Sequence, residues 1–294
     1  MVTPYFTNRN INLLAGLGIV AVLLLTGCGG TTSAPAATPT PTAASTSATT
    51  STTASATLKH VPHGMATISW NPTSQGLTVK ISLIGLAPNS THPAHIHSGS
   101  CANQGPVVYP LQNVIADAHG VGTSTTTVKN VAKLQASGWY LNVHNGPTLS
   151  PSDQFLPIVC NDLSFTTVSP TSSLSLQIPL NTAPPASAGE TVSGMAQLTL
   201  AGSTLTVKLN VSGLEPNSKH AAHIHAGSCE SQGAVVYPLT TVVADAAGKT
   251  NVTTTIANVS SIPSSGWYVN VHHSADLSTQ TGFDPIACGN VILG

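Results

Sequence analysis

Leu77-Thr78-Val79-Lys80-Ile81-Ser82-Leu83 alternates apolar and polar side chains, and Leu205-Thr206-Val207-Lys208-Leu209-Asn210-Val211 does so again. A period of two places the aliphatic residues on one strand face and the polar ones on the other. The echo extends well beyond these strands. Residues 77–160 align with 205–288 without a gap, and more than half of the aligned positions are identical. A spacing this wide indicates duplicated domains and not solenoid units. Thr125–Val128 and Thr253–Ile256 are β-branched, while Trp139–Val143 and Trp267–Val271 mix aromatic with branched residues. Turn formers such as Ala87-Pro88-Asn89-Ser90 separate these runs, and no helical stripe competes with them. The expected fold is all-β: two tandem Greek-key barrels or sandwiches.

Composition narrows the function classes. The chain has 294 residues, of which 6% are charged, and its formal net charge is -1. A basic footprint for nucleic acid is absent. Apolar residues reach 41% but aromatics only 4%, so Val, Leu, Ile and Ala must build the cores.

The N-terminus points to export. Arg9 precedes an apolar run from Ile11 to Leu25, and Leu25-Thr26-Gly27-Cys28 follows. A run of fifteen residues, apolar but for Asn12, is short for a membrane span and suits a signal peptide. The small residues before Cys28 resemble a bacterial lipobox. That resemblance implies a lipidated Cys28 and attachment to the outer face of the cell membrane. Residues 29–57, rich in Ser, Thr, Ala and Pro, read as a tether. The expected organisation continues with a first domain at 58–164, a linker at 165–189 and a second domain at 190–294. Leu174–Leu180 could still form a strand within that linker.

Five cysteines occur, and lipidation of Cys28 leaves four. Each repeat keeps two, so the economical pairing is Cys101–Cys160 and Cys229–Cys288. Eight of twelve histidines occupy equivalent places: His92, His95, His97 and His144, then His220, His223, His225 and His272. In a His-Ile-His strand both imidazoles share a face. His144 and His272, each closing a Trp-Tyr-x-Asn-Val-His strand, can add a third nitrogen. Three imidazoles without thiolate suit copper or zinc. His92 and His220 fall on the opposite face and read as structural. His60, His63, His119 and His273 have no counterpart and are expected at the surface.

The stretch Gly213-Leu214-Glu215-Pro216-Asn217-Ser218-Lys219-His220-Ala221-Ala222-His223-Ile224-His225 resembles the copper-binding strand region of Cu/Zn superoxide dismutases. The ending Ala287-Cys288-Gly289-Asn290-Val291-Ile292-Leu293-Gly294 is similar to theirs too. Ala94-His95-Ile96-His97, Gly105-Pro106-Val107-Val108 and Tyr140-Leu141-Asn142-Val143-His144 equally resemble bacterial CHRD (chordin-type) domains. The dismutase resemblance implies Cys229–Cys288 as the family's disulfide and Val271-His272 as carrying a further copper ligand.

Departures from the dismutases bear on chemistry. Val107 and Val235 stand near the place of their metal-bridging histidine, and Leu111–Asp117 and Leu239–Asp245 replace their long zinc loop. Pro157 and Pro285 occupy the place of their superoxide-attracting arginine, and Arg9 is the chain's only arginine. The expected cofactor is therefore copper without zinc, held by His95, His97 and His144 and by His223, His225 and His272. Efficient dismutation is not expected. Three readings follow: a tethered copper-binding protein, an active copper-only dismutase, or a metal-free envelope or adhesion module.

Overall fold

Alternation is realised in full where it is cleanest. The strand Gly76–Ile84 buries Leu77, Val79, Ile81 and Leu83, and Thr204–Ser212 buries Leu205, Val207, Leu209 and Val211. The computed structural model describes residues 51–150, 152–165, 172–181 and 192–294, within one unit spanning Ala48–Gly294. The leader with Cys28, and the tether through residue 50, lie outside the described residues.

In chain order the strands are β1 (Ser51–His60), β2 (His63–Asn71), β3 (Gly76–Ile84), β4 (Thr91–His92), β5 (Ala94–Gly99), β6 (Gln104–Pro110), β7 (Val114–Ala116), β8 (Gly122–Val128), β9 (Trp139–His144), β10 (Pro157–Leu163) and β11 (Leu174–Leu180). The second half continues with β12 (Ser193–Ala201), β13 (Thr204–Ser212), β14 (Lys219–His220), β15 (Ala222–Gly227), β16 (Gln232–Pro238), β17 (Val242–Val243), β18 (Thr250–Ile256), β19 (Trp267–His272), β20 (Pro285–Asn290) and β21 (Ile292–Leu293). One-turn helices α1 (Ser152–Phe155) and α2 (Gln280–Phe283) precede β10 and β20.

Each half is a two-sheet β fold. In the first, β11-β2-β3-β8-β7-β4 faces β10-β9-β5-β6 across a core of aliphatic residues. β3 and β8 are neighbours although the chain between them visits the other sheet, the return expected of a Greek key. The second half repeats this with β12-β13-β18 and β16-β15-β19-β20. Disulfides Cys101–Cys160 and Cys229–Cys288 form as the repeat suggested, with Cα atoms 6.0 and 5.8 Å apart.

The expected boundaries need correction at two strands. β1 precedes β2 in sequence but pairs with β12, from Ser51↔Ala201 to Leu58↔Gly194. β11 precedes β12 but pairs with β2, from Leu174↔Trp70 to Leu180↔Gly64. The two halves thus exchange their leading strands. Residues 51–57, assigned to the tether, belong to the second half's sheet and place Ala54 and Ala56 in its core. Residues 174–180 of the expected linker complete the first half, burying Ile178 and Leu180. On the opposite edge from the exchanged strands, Gly64 and Gly194 let β2 and β12 approach β3 and β13 closely, since a Cβ there would lie 2.0 Å from the Ser82 carbonyl oxygen and 2.2 Å from that of Asn210.

β1 also turns a corner. Its last two residues, Lys59 and His60, pair with Cys288 and Ala287 of β20, and Ala54 and Ser55 pair with β21. This bend corrects the expectation for His60. The residue is half-buried with both ring nitrogens enclosed, and burial lowers the pKa of its imidazole.

Candidate metal centre

The site begins with strand parity. Ile96 and Ile224 point into the cores, so the flanking histidines of each His-Ile-His face the other way. β9 runs beside β5 with His95↔Asn142 and His97↔Tyr140 opposed, and β19 does the same beside β15. The same alternation puts Tyr140, Asn142 and His144 on the histidine face, whereas Trp139, Leu141 and Val143 enter the core. Each triad therefore lies on the outward face of its smaller sheet.

The structure brings His95, His97 and His144 together, and His223, His225 and His272 likewise, with one nitrogen from each ring within 4.8 Å of the others. His95 Nδ1 lies 3.0 Å from His144 Nε2, and His223 Nδ1 lies 3.1 Å from His272 Nε2. Two imidazole nitrogens bound to one ion at about 2.0 Å, at roughly a right angle, would sit at this separation.

Backbone carbonyls aim the remaining rings. His97 Nδ1 donates to the Gly105 carbonyl at 2.9 Å, and His225 Nδ1 to that of Gly233 at 3.0 Å. His144 Nδ1 donates to the Phe155 carbonyl at 2.5 Å, and His272 Nδ1 to that of Phe283 at 2.6 Å. A neutral ring that donates through Nδ1 carries its lone pair on Nε2. His97 Nε2 and His225 Nε2 are buried with no hydrogen-bond partner in the structure, which suits a bound cation. Glycine is needed at 105 because a Cβ would lie 2.3 Å from the Ser98 carbonyl oxygen. Tyr140 stacks on His97 and Tyr268 on His225, each with ring centres 5.0 Å apart, and fixes the ring plane.

Burial favours the neutral form of His95, His144, His223, His225 and His272. Burial, then the neighbouring His144 and His97, pushes His95 down to about 4. Burial also pushes His272 down to about 4, outweighing the Phe283 carbonyl. His144, His223 and His225 are lowered as well, burial being the largest cause for each. Neutral imidazole is the form that binds metal. The donor set fits an ion of the copper or zinc type, with His95 Nδ1, His97 Nε2 and His144 Nε2 facing it in the first half.

His92 and His220 lie outside the triads. His92 Nδ1 donates to the His144 carbonyl at 2.9 Å and its Nε2 accepts from Ser90 at 2.8 Å, while His220 holds the His272 carbonyl at 3.0 Å. Each braces a triad member through its backbone. The second half also reaches across to this brace. Asp284 is buried beside His92, its Oδ1 4.0 Å from His92 Nε2, and accepts from the Ala87 amide at 3.3 Å. Burial raises the Asp284 pKa well above the usual carboxylate range. Gln280 bonds both the amide and the carbonyl of Thr91, and Gln232 Nε2 donates to the Leu86 carbonyl at 2.7 Å. His119, expected at the surface, is exposed, and its backbone carbonyl accepts from the Gln232 amide.

Sequence reasoning did not single out Tyr140, Asn142, Tyr268 and Asn270. The signal was present: in Trp-Tyr-x-Asn-Val-His, the tyrosine and asparagine share strand parity with the closing histidine.

A search of curated proteins finds no match to the chain. The CHRD domain matches it twice, over residues 35–147 and 176–276. The first match spans β1, whose partner strand lies in the other half, so the exchange crosses the boundary between matches. These matches cover most of the sequence and each holds a complete triad, so the chain belongs to the CHRD domain family, as a tandem pair.

Proposed function

We propose that the protein is a two-site copper-binding protein, exported and held by a lipid on Cys28 at the outer face of the cell membrane. The duplicated triad carries this reading: three imidazoles converge in each half, and two of them are aimed by backbone carbonyls. His95, His97 and His144 would hold one ion, and His223, His225 and His272 the other. Copper so held supplies one-electron chemistry between Cu(II) and Cu(I).

The residues around the triads argue against a second, bridged zinc site beside each one and against rapid dismutation. Val107 and Val235 stand opposite His97 and His225 in register and present aliphatic surface where a bridging ligand would be needed. No arginine follows Arg9, so no guanidinium is available to draw in superoxide. Among the described residues, no helix is long and apolar enough to cross a membrane, and anchoring in this proposal rests on the lipobox resemblance alone.

Metal analysis of protein purified from an oxidising compartment tests the reading. The expected result is close to two coppers per chain, with nitrogen-dominated ligation by electron paramagnetic resonance and slow, weakly salt-dependent superoxide consumption. Absence of binding at micromolar free copper would make the triads structural and favour an envelope or adhesion module. Fast superoxide turnover would instead favour the copper-only dismutase.

A further inference from the structure

Asn142 and Asn270 are almost fully enclosed, 0% and 1% exposed, yet their amides are poorly satisfied. Neither Nδ2 nor Oδ1 of Asn142 has a hydrogen-bond partner in the structure, and Oδ1 of Asn270 has none. A buried primary amide left without partners is costly, so its retention needs a reason. Both copies keep it in the same place. Asn142 lies between His95 on β5 and Cys160 on β10, and Asn270 lies between His223 and Cys288. Each is two residues before a triad member and on the same strand face.

In the second half, Asn270 Nδ2 approaches His272 Nε2 to 3.4 Å. That nitrogen carries the lone pair, because His272 Nδ1 is committed to the Phe283 carbonyl. A cation on Nε2 would take the lone pair and repel the amide N–H. A half-turn of the amide exchanges Nδ2 for Oδ1 with no backbone movement. We infer that Asn142 and Asn270 are the fourth ligands of the two metal sites, each giving its side-chain carbonyl oxygen to the ion that the three imidazoles hold. The inference rests on the copper reading above and changes its coordination. Each site becomes three nitrogens and one neutral oxygen, a set suited to Cu(II).

The test uses the full chain with asparagine labelled by carbon-13 at the side-chain carbonyl, loaded with Cu(II). Pulsed electron–nuclear double resonance should show a carbon-13 coupling that disappears in the Asn142→Leu, Asn270→Leu variant. That variant should bind Cu(II) about tenfold more weakly, while its metal-free melting temperature holds or rises because an unsatisfied amide has been removed. Asn142→Asp with Asn270→Asp should instead tighten binding, since a carboxylate is the stronger oxygen ligand. Wild-type protein that binds copper without carbon-13 coupling, and with leucine-variant affinity unchanged, would overturn the asparagine assignment and leave the triads standing. A leucine variant destabilised without metal but unaltered in copper affinity would show a purely structural amide. Wild-type protein that takes up no copper would overturn both this inference and the reading beneath it.

Discussion

Two rings in each triad are positioned by what their other nitrogen holds. The carbonyls of Gly105 and Gly233 fix His97 and His225 so that both Nε2 atoms face inward. Replacing His97 and His225 together by alanine leaves two imidazoles per site. Copper affinity should then fall by more than the 10–100-fold typical of losing an outer partner, as read by competition with a chromophoric chelator. Protonation acts on the same neighbourhood. Burial pushes His92 down to about 4, whereas the unfolded chain titrates it near 6.5. Between these values the unfolded state binds a proton that the native state refuses. Native stability is therefore full above about 6.5 and is lost as pH falls toward 4. The lowered pKa values of His95, His144 and His272 act in the same direction. The urea midpoint of metal-free protein should be lower at pH 5 than at pH 7, and an unchanged midpoint would mean that these rings are solvated.

Strand exchange makes the two halves unequal as polypeptides. Residues 62–181 contain β2 through β11, every strand of the first half, in one continuous stretch. The second half needs β1, more than 130 residues upstream of β12. A fragment of residues 62–181 should fold alone by circular dichroism, whereas residues 192–294 should fold only when a peptide of residues 51–60 is added. Independent folding of 192–294 would show that β12 does not need the exchanged strand. Within the intact chain, Leu58→Ala should cost about 2–5 kcal/mol, since Leu58 is 1% exposed in the second core. Much of this architecture was readable from sequence. Leu77–Leu83 and Trp139–His144 declare their faces by parity, and that parity also assembled the triads. The exchange was not readable. Ala54, Ala56 and Leu58 alternate with Ser and Thr, a composition shared with a solvated tether, and local pattern does not choose between β2 and β12 as partner. His60 was misplaced for the same reason, because its burial arises where β1 bends from one sheet to the other. The asparagines escaped because amides are usually satisfied by backbone, and only their enclosure marks them out.

At the scale of the molecule, the exchanged strands and the Asp284 contact tie the two halves together, while each disulfide locks its own half internally. Each disulfide closes a loop of 59 residues, worth about 4 kcal/mol in the chain-entropy model. If Cys28 is the lipid attachment point, Cys28→Ser should shift the protein from the membrane fraction to the soluble or secreted fraction, with altered processing on a denaturing gel. Persistence in membranes at unchanged mass would exclude the lipobox. The route by which such an anchor meets the fold has a mechanical consequence. Chain arriving at Ser51 enters not the neighbouring first half but the sheet of the second, between β12 and β21. Tension applied along the axis of β1 would load the rungs from Ser51↔Ala201 to Leu58↔Gly194 in shear, all together, instead of peeling them one by one. The Gly294 amide, bonded to the Thr53 carbonyl at 3.0 Å, clamps the same strand from its other edge. A drag force on the tethered protein would thus be resisted first by the half farthest along the sequence from the point of attachment.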